Sequence, residues 1–167
     1  MSDTIEKAGH TEMIGHAVGF AESGKERFLK TFGAVPADKQ NYTPAEGAKT
    51  PIQLGAHIAV SNNGFAGMFE GGDERMPEMD VMMKMMAKAE AEIDTAEKVV
   101  AAVEESHTRL IASINGLSAE RYASTIPTPF GEMVIAEMVF YPGTHYHGHA
   151  SQVDYVQTCY GDHEIHM

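Results

Sequence analysis

The sequence predicts an all-α fold: a four-helix bundle. Three observations carry that reading. Apolar residues recur at spacings of three and four in four separate segments. Cap residues and glycines bracket those segments. Alternating strand patterns are almost absent, Val134-Ile135 being short and running on into a helical pattern.

The first helix is expected from about Asp3 to Phe32. Ile14, Val18, Ala21, Phe28 and Phe32 form its apolar stripe, and Gly33 ends it ahead of a polar stretch with Pro36 and Pro44. The second has a sharp start. Thr50 is the N-cap, Pro51 takes the first helical position and Gln53 completes a capping box. It runs through Leu54, His57, Ile58, Ser61, Phe65 and Met68 to a stop at Gly71-Gly72. The third opens on Asp94 and Glu97 as a cap-like pair. Val99, Val100, Val103, Leu110, Ile111 and Ile114 follow, then Gly116. The fourth follows the turn-rich Pro127-Thr128-Pro129-Phe130-Gly131. It is expected from about Val134 to Tyr160, stopping at Gly161, with Pro142-Gly143 bending or fraying it from inside.

The connection from Gly71 to Ile93 is too long for a tight antiparallel turn. It reads as a crossover, which makes helices two and three parallel. Met76, Met79, Met82, Met83, Met85 and Met86 crowd it. The plain reading is a short amphipathic helix with an adaptable apolar face. A methionine site for a soft metal such as copper(I) is the alternative, and it suits an oxidising compartment to which nothing else points.

The 167 residues fit a single domain, 1–167. Lys and Arg number 12 against 24 Asp and Glu, a formal net charge of −12. A duplex or an anionic membrane surface repels such a chain, so neither nucleic acid nor membrane is expected as a partner. The lone Cys159 forms no internal disulfide and suits a reducing compartment. The start of the sequence lacks the basic and apolar regions of a secretory signal, and no apolar run reaches the ~18 residues of a membrane span. The expected location is the cytoplasm.

The nine histidines carry the chemistry. His145 and His149 are one turn apart on one helical face, about 40° from each other, so both rings can reach one metal ion. They fall on a stripe read as inward-facing: Ile135, Met138, Pro142, His145, His149, Gln152 and Val156. His147, about 200° from His145, points away. His57 shares its side of helix two with Leu54, Ile58 and Ser61. A lone inward histidine is more often a satisfied core residue. Beside a His-x-x-x-His pair it becomes a third ligand, and three neutral imidazoles leave open positions on a metal.

Other constellations fit less well. Glu104-Glu105-Ser106-His107 is a single Glu-x-x-His unit where a di-iron bundle needs two. His163-Glu164-Ile165-His166 has the wrong spacing for a zinc protease and reads as a solvated tail. His107 reads as a core histidine and Cys159 as a buried thiol.

Three stretches together resemble a known family. They are Asn41-Tyr42-Thr43-Pro44-Ala45-Glu46-Gly47-Ala48-Lys49-Thr50-Pro51-Ile52, then Leu54-Gly55-Ala56-His57-Ile58-Ala59, and far downstream His145-Tyr146-His147-Gly148-His149-Ala150-Ser151-Gln152. One histidine on helix two and His-x-x-x-His-x-x-Gln on helix four resembles the DinB superfamily, the DinB/YfiT-like metalloproteins. The resemblance implies up-down-down-up topology. It implies that His57, His145 and His149 bind one divalent metal, usually nickel or zinc and alternatively iron or manganese, with water completing the shell. Gln152 matches the motif glutamine, which supports a ligand or fixes helix packing. Members are often homodimers. Characterised members are thiol S-transferases and thiol-dependent isomerases using bacillithiol, mycothiol or glutathione. The implied function is therefore a metal-dependent transferase or hydrolase acting on a small electrophile, with a small-molecule thiol as partner. The rival is a metal-binding stress- or damage-associated bundle without turnover. His149-Ala150-Ser151-Gln152 departs from the family's common His-Arg-Gly-Gln and lacks its arginine.

Overall fold

A computed structural model describes residues 2–71, 77–128 and 131–166, with side chains from residue 9 onward. Gly72, Met76, Pro129 and Phe130, on which parts of the sequence reading fall, lie outside them. The described elements are α1 (Ser2–Gly33), a 3-10 turn (Ala37–Lys39), α2 (Pro51–Glu70), α3 (Met79–Ala91) and α4 (Ala96–Asn115). They continue with α5 (Ala119–Tyr122), β1 (Thr125–Thr128), β2 (Gly131–Val134), α6 (Ile135–Met138) and α7 (Tyr141–Cys159). None is long and apolar enough to cross a membrane.

The long helices α1, α2, α4 and α7 form a four-helix bundle of up-down-down-up topology. Residue pairing gives the directions. Gly55 abuts Val99, Asn62 bonds Ser106 and Glu70 pairs with Arg109, so α2 and α4 run parallel. Gly24 abuts Gly143 and Tyr146, Arg27 bonds Ser151 and Thr31 meets Gln157, so α1 and α7 are also parallel. Against α4 the order reverses. Lys25 pairs with Glu104, while Ile14 shares a cluster with Leu110 and Ile114. The long crossover holds α3, which packs on α2.

Local chemistry explains the boundaries. The Gln53 N–H donates to Thr50 Oγ1 and the Thr50 N–H to Gln53 Oε1, closing the expected capping box. Gly71 closes α2 at φ 74°. The cap of α4 is Thr95, whose Oγ1 accepts from the Lys98 N–H, rather than Asp94, which pairs with Lys98 Nζ instead.

The expected continuous fourth helix is broken: Val134 ends the hairpin strand β2, Ile135–Met138 forms the single turn α6, and the long helix α7 begins only at Tyr141. Val134 pairs with Thr125 at the open end of the hairpin, and the Ile135 N–H donates to the Ser124 carbonyl. Pro142 therefore lies in the first turn of α7. Its missing N–H costs nothing there, so it starts the helix rather than bending it.

The core has two halves. One gathers Phe28, Phe32, Leu54, Ile58, Val99, Val103 and Tyr146; the other gathers Ile14, Phe69, Leu110, Ile114, Ile135 and Met138. Gly24 permits the close approach of α1 and α7. A Cβ there would stand 2.8 Å from Tyr146 Cβ and 3.2 Å from the Gly143 carbonyl.

The buried line of α7 is Pro142, Gly143, Tyr146, Ala150, Val153 and Val156. The stripe read from the sequence lies beside it: His145 and His149 are half-buried and Gln152 is exposed. Cys159 is exposed, contrary to the buried thiol expected, because it is about 200° round the helix from buried Gln157. The tail is partly docked rather than fully solvated. Thr31 Oγ1 donates to the His166 carbonyl, and His166 Nε2 lies 3.0 Å from Asp162 Oδ2.

Candidate metal centre

The flank between α2 and α7 brings three imidazoles together. The capping box fixes the first turn of α2, and one turn on His57 projects beside buried Leu54 and Ile58. Tyr146, Ala150 and Val153 anchor α7 in the core, which turns His145 and His149 toward α2. His145 Nε2 lies 3.2 Å from His57 Nε2 and 3.0 Å from His149 Nε2. One ligand atom from each ring falls within 4.8 Å of the others, and no other such cluster of three or more exists among the described residues.

The outer nitrogens decide which tautomers face the centre. His57 Nδ1 is 2.7 Å from Glu90 Oε1, and His149 Nδ1 is 2.6 Å from Gln152 Oε1. Both partner oxygens only accept, so each Nδ1 carries the proton and each Nε2 presents a lone pair inward. A proton on His145 Nε2 can satisfy only one of those lone pairs. A cation held by the three Nε2 atoms would satisfy all of them at once, with the His145 proton on Nδ1. That Nδ1 is buried and has no partner among the described residues.

The spacing also suits a metal. Tetrahedral bonds of about 2.0–2.1 Å place donors about 3.3 Å apart. The two separations observed are slightly shorter than that. The residues present therefore fit a divalent ion held by three neutral imidazoles, with positions left open.

Burial favours the neutral form of two of the donors, His145 and His149. Burial, aided by the charges of His149 and His57, pushes His145 down to about 3. Burial also lowers His149, partly opposed by Gln152. Burial resists ionisation of Glu90, but bonds from Lys49 and His57 outweigh it and hold the carboxyl below its usual range. Lys49 Nζ donates to Glu90 Oε2 at 2.8 Å, placing an ammonium at the rim. Phe65 meets His145 edge-on, with centroids 6.0 Å apart.

Glu90 and Lys49 escape a reading of the sequence. Glu90 follows Met82 and Met86 by eight and four positions and so shares their stripe, but spacing alone does not say which helix that stripe meets. Gln152 is brought beside His149 by the single helical turn between them. His147 faces α1, stacked on Phe20 with centroids 4.9 Å apart and lying near Arg27.

His107 is a satisfied core residue, as its position on the Val103–Leu110 stripe implies. Asn62 Nδ2 donates to Tyr146 Oη at 2.7 Å, leaving the phenol proton for His107 Nδ1 at 3.3 Å. Burial, then the charge of Lys25, lowers His107 to about 4. Between pH 6.5 and about 4 the unfolded chain binds a proton at this position and the native chain does not, so the metal-free protein loses stability as pH falls through that window. His107 alone accounts for about 3 kcal/mol at the acid end. Urea unfolding at pH 7 and pH 5 measures the onset. Equal stabilities at both would contradict the assignment.

Fold and site together define a helical bundle with a candidate three-histidine centre on the flank of two helices. The chain belongs to the DinB superfamily, whose family model matches residues 21–153. No curated protein matches it in sequence. Among solved structures it is similar to a mycothiol-dependent maleylpyruvate isomerase, with a TM-score of 0.71 and 16% identity over 84% of this chain. This chain covers 60% of that isomerase's length. It is also similar to TT2238, described as a four-helix bundle protein, with a TM-score of 0.64 and 17% identity over 85% of this chain and 98% of that one. A third similar structure is the colibactin self-resistance protein ClbS in complex with double-stranded DNA. Its TM-score is 0.65 and its identity 12%, over 87% of this chain and 96% of that one. At these identities the likenesses show the fold.

Proposed function

We propose that His57, His145 and His149 hold one divalent cation, nickel or zinc ahead of iron or manganese, and that the protein is a metal-dependent enzyme. The reaction is of the thiol S-transferase or hydrolase type on a small electrophile. One observation carries this reading: three Nε2 atoms converge while Glu90 and Gln152 engage the outer nitrogens of two of the rings. The fold shared with a thiol-dependent isomerase supports the choice of thiol chemistry. The net charge of −12 supports a small molecule over nucleic acid.

A bound cation with open positions supplies Lewis acidity and lowers the pKa of a thiol or water. The chain's own residues prepare the place. Glu90 and Gln152 hold His57 and His149 in the tautomers that face inward. Phe65 covers one side of His145. Lys49 offers the rim a positive charge for an anionic group on a substrate.

The test uses untagged, metal-stripped protein titrated with Ni²⁺ and Zn²⁺ in a calorimeter. Monochlorobimane conjugation is then assayed with mycothiol, bacillithiol and glutathione. Conjugation that needs both the metal and His57 is the expected result. Metal binding with no conjugation selects the rival, a metal-binding bundle without turnover. One feature favours that rival: the acidic group nearest the cluster, Glu90, is already tied to His57 and Lys49.

Protons compete with the cation, so affinity falls as pH falls. His145 and His149 stay neutral below the usual imidazole range. The decline through pH 6.5 is therefore shallower than the three-proton slope of three ordinary imidazoles. Calorimetric affinities from pH 8 to 5 measure it. A full three-proton slope would show that burial does not protect the rings, and a flat line would show that imidazoles are not the ligands.

A further inference from the structure

We infer that Glu90 is a positioning residue that couples occupancy of the histidine centre to the docking of α3. The inference rests on the metal-binding reading above. Its first support is how little else holds α3. None of its residues is fully buried. Met82, Met86 and Glu90 are half-buried along one stripe and every other residue is exposed, including Met83 at 55% and Met85 at 60%. Its first turn has no side-chain cap bond. A helix with so few buried apolar contacts opens locally at low cost.

The second support is where the strongest polar anchor of α3 among the described residues lands. Glu90, in the last turn of α3, accepts from His57 Nδ1 at 2.7 Å with one oxygen and from Lys49 Nζ at 2.8 Å with the other. Lys49 immediately precedes the Thr50 cap, so both bonds tie α3 to the first two turns of α2. His57 is thus bonded to α3 through one nitrogen and faces the centre through the other.

Positive charge at His57 Nε2 draws electron density from the ring and makes Nδ1–H a stronger donor to a carboxylate. Occupancy of the centre therefore tightens the bond that docks α3. Linkage is reciprocal, so a docked α3 raises affinity at the centre by the same factor. The crossover helix acts as a clasp.

Hydrogen–deuterium exchange with and without Zn²⁺, paired with calorimetry on the same samples, tests this. In the wild-type protein Zn²⁺ should slow exchange of the α3 amides about tenfold. Glu90→Ala should still bind Zn²⁺, about 10–100-fold more weakly, and its α3 should exchange at one rate with or without the ion. Glu90→Gln keeps an acceptor oxygen without the charge and should fall between the two. Glu92→Gln, on the exposed residue that ends α3, should match the wild type. Wild-type protein that binds Zn²⁺ without any change in α3 exchange overturns the coupling alone. Equal Zn²⁺ affinity in Glu90→Ala and wild type overturns it as well. No heat of Zn²⁺ binding in the wild type overturns the metal reading and the coupling with it, and calorimetry separates that case from the others.

Discussion

Replacing His145 with alanine is expected to lower divalent-metal affinity more than about 100-fold, beyond the range that loss of an outer hydrogen-bond partner produces. His145 is the middle member of the cluster. Its Nε2 lies within 3.2 Å of both other rings, and burial is the main cause that lowers its pKa to about 3. Alanine leaves two donors, on different helices, with nothing between them. His147→Ala supplies the contrast. That ring is two residues away in sequence, yet it stacks on Phe20 of α1, so its loss should leave affinity unchanged. Competition against a chromogenic chelator measures both. Equal losses from the two substitutions would mean that the wrong face of α7 has been assigned.

Phe28→Ala is expected to cost about 3–5 kcal/mol of stability. The ring is fully buried, stacks on Phe32 at 5.7 Å and leans on Tyr146 at 6.4 Å. It also lies under Gly55, where α2 meets α4. The space left behind is bordered by three helices that are pinned elsewhere, so it collapses poorly. Urea unfolding with the metal removed reads the effect without contribution from ligand binding. A loss below about 1 kcal/mol would mean that the neighbours close over the gap.

Much of this architecture is legible in the residues, and for identifiable reasons. Thr50-Pro51-Ile52-Gln53 specifies a helix start by local chemistry alone, so it holds whatever surrounds it. The length of the stretch between α2 and α4 forces a crossover, and the parallel pairing of Asn62 with Ser106 follows from it. His145 and His149 share a face because one helical turn separates them. What escapes depends on tertiary partners. Thr95 and Asp94 are both good cap residues, and Lys98 decides between them by taking the Asp94 carboxylate. Val134 carries no sign that Thr125 will pair with it, so it reads as the start of a helix rather than the end of a strand. Cys159 looks buried by residue type, yet the rotation of α7 set by Tyr146 and Val153 turns it outward. Glu90 meets His57 across 33 positions through a helix whose sequence advertises methionines rather than a carboxylate.

The sequence distance between His57 and His145 also bears on refolding. These rings are 88 positions apart, on two helices that must close on each other before the rings can meet. A denatured polypeptide offers a cation only local sets such as His145, His147 and His149, without His57 held against them, a weaker chelate than the assembled triad. Added ion should therefore raise the melting temperature in proportion to the logarithm of its concentration. It should also slow unfolding more than it speeds refolding, because the gain arrives late, when the two helices close.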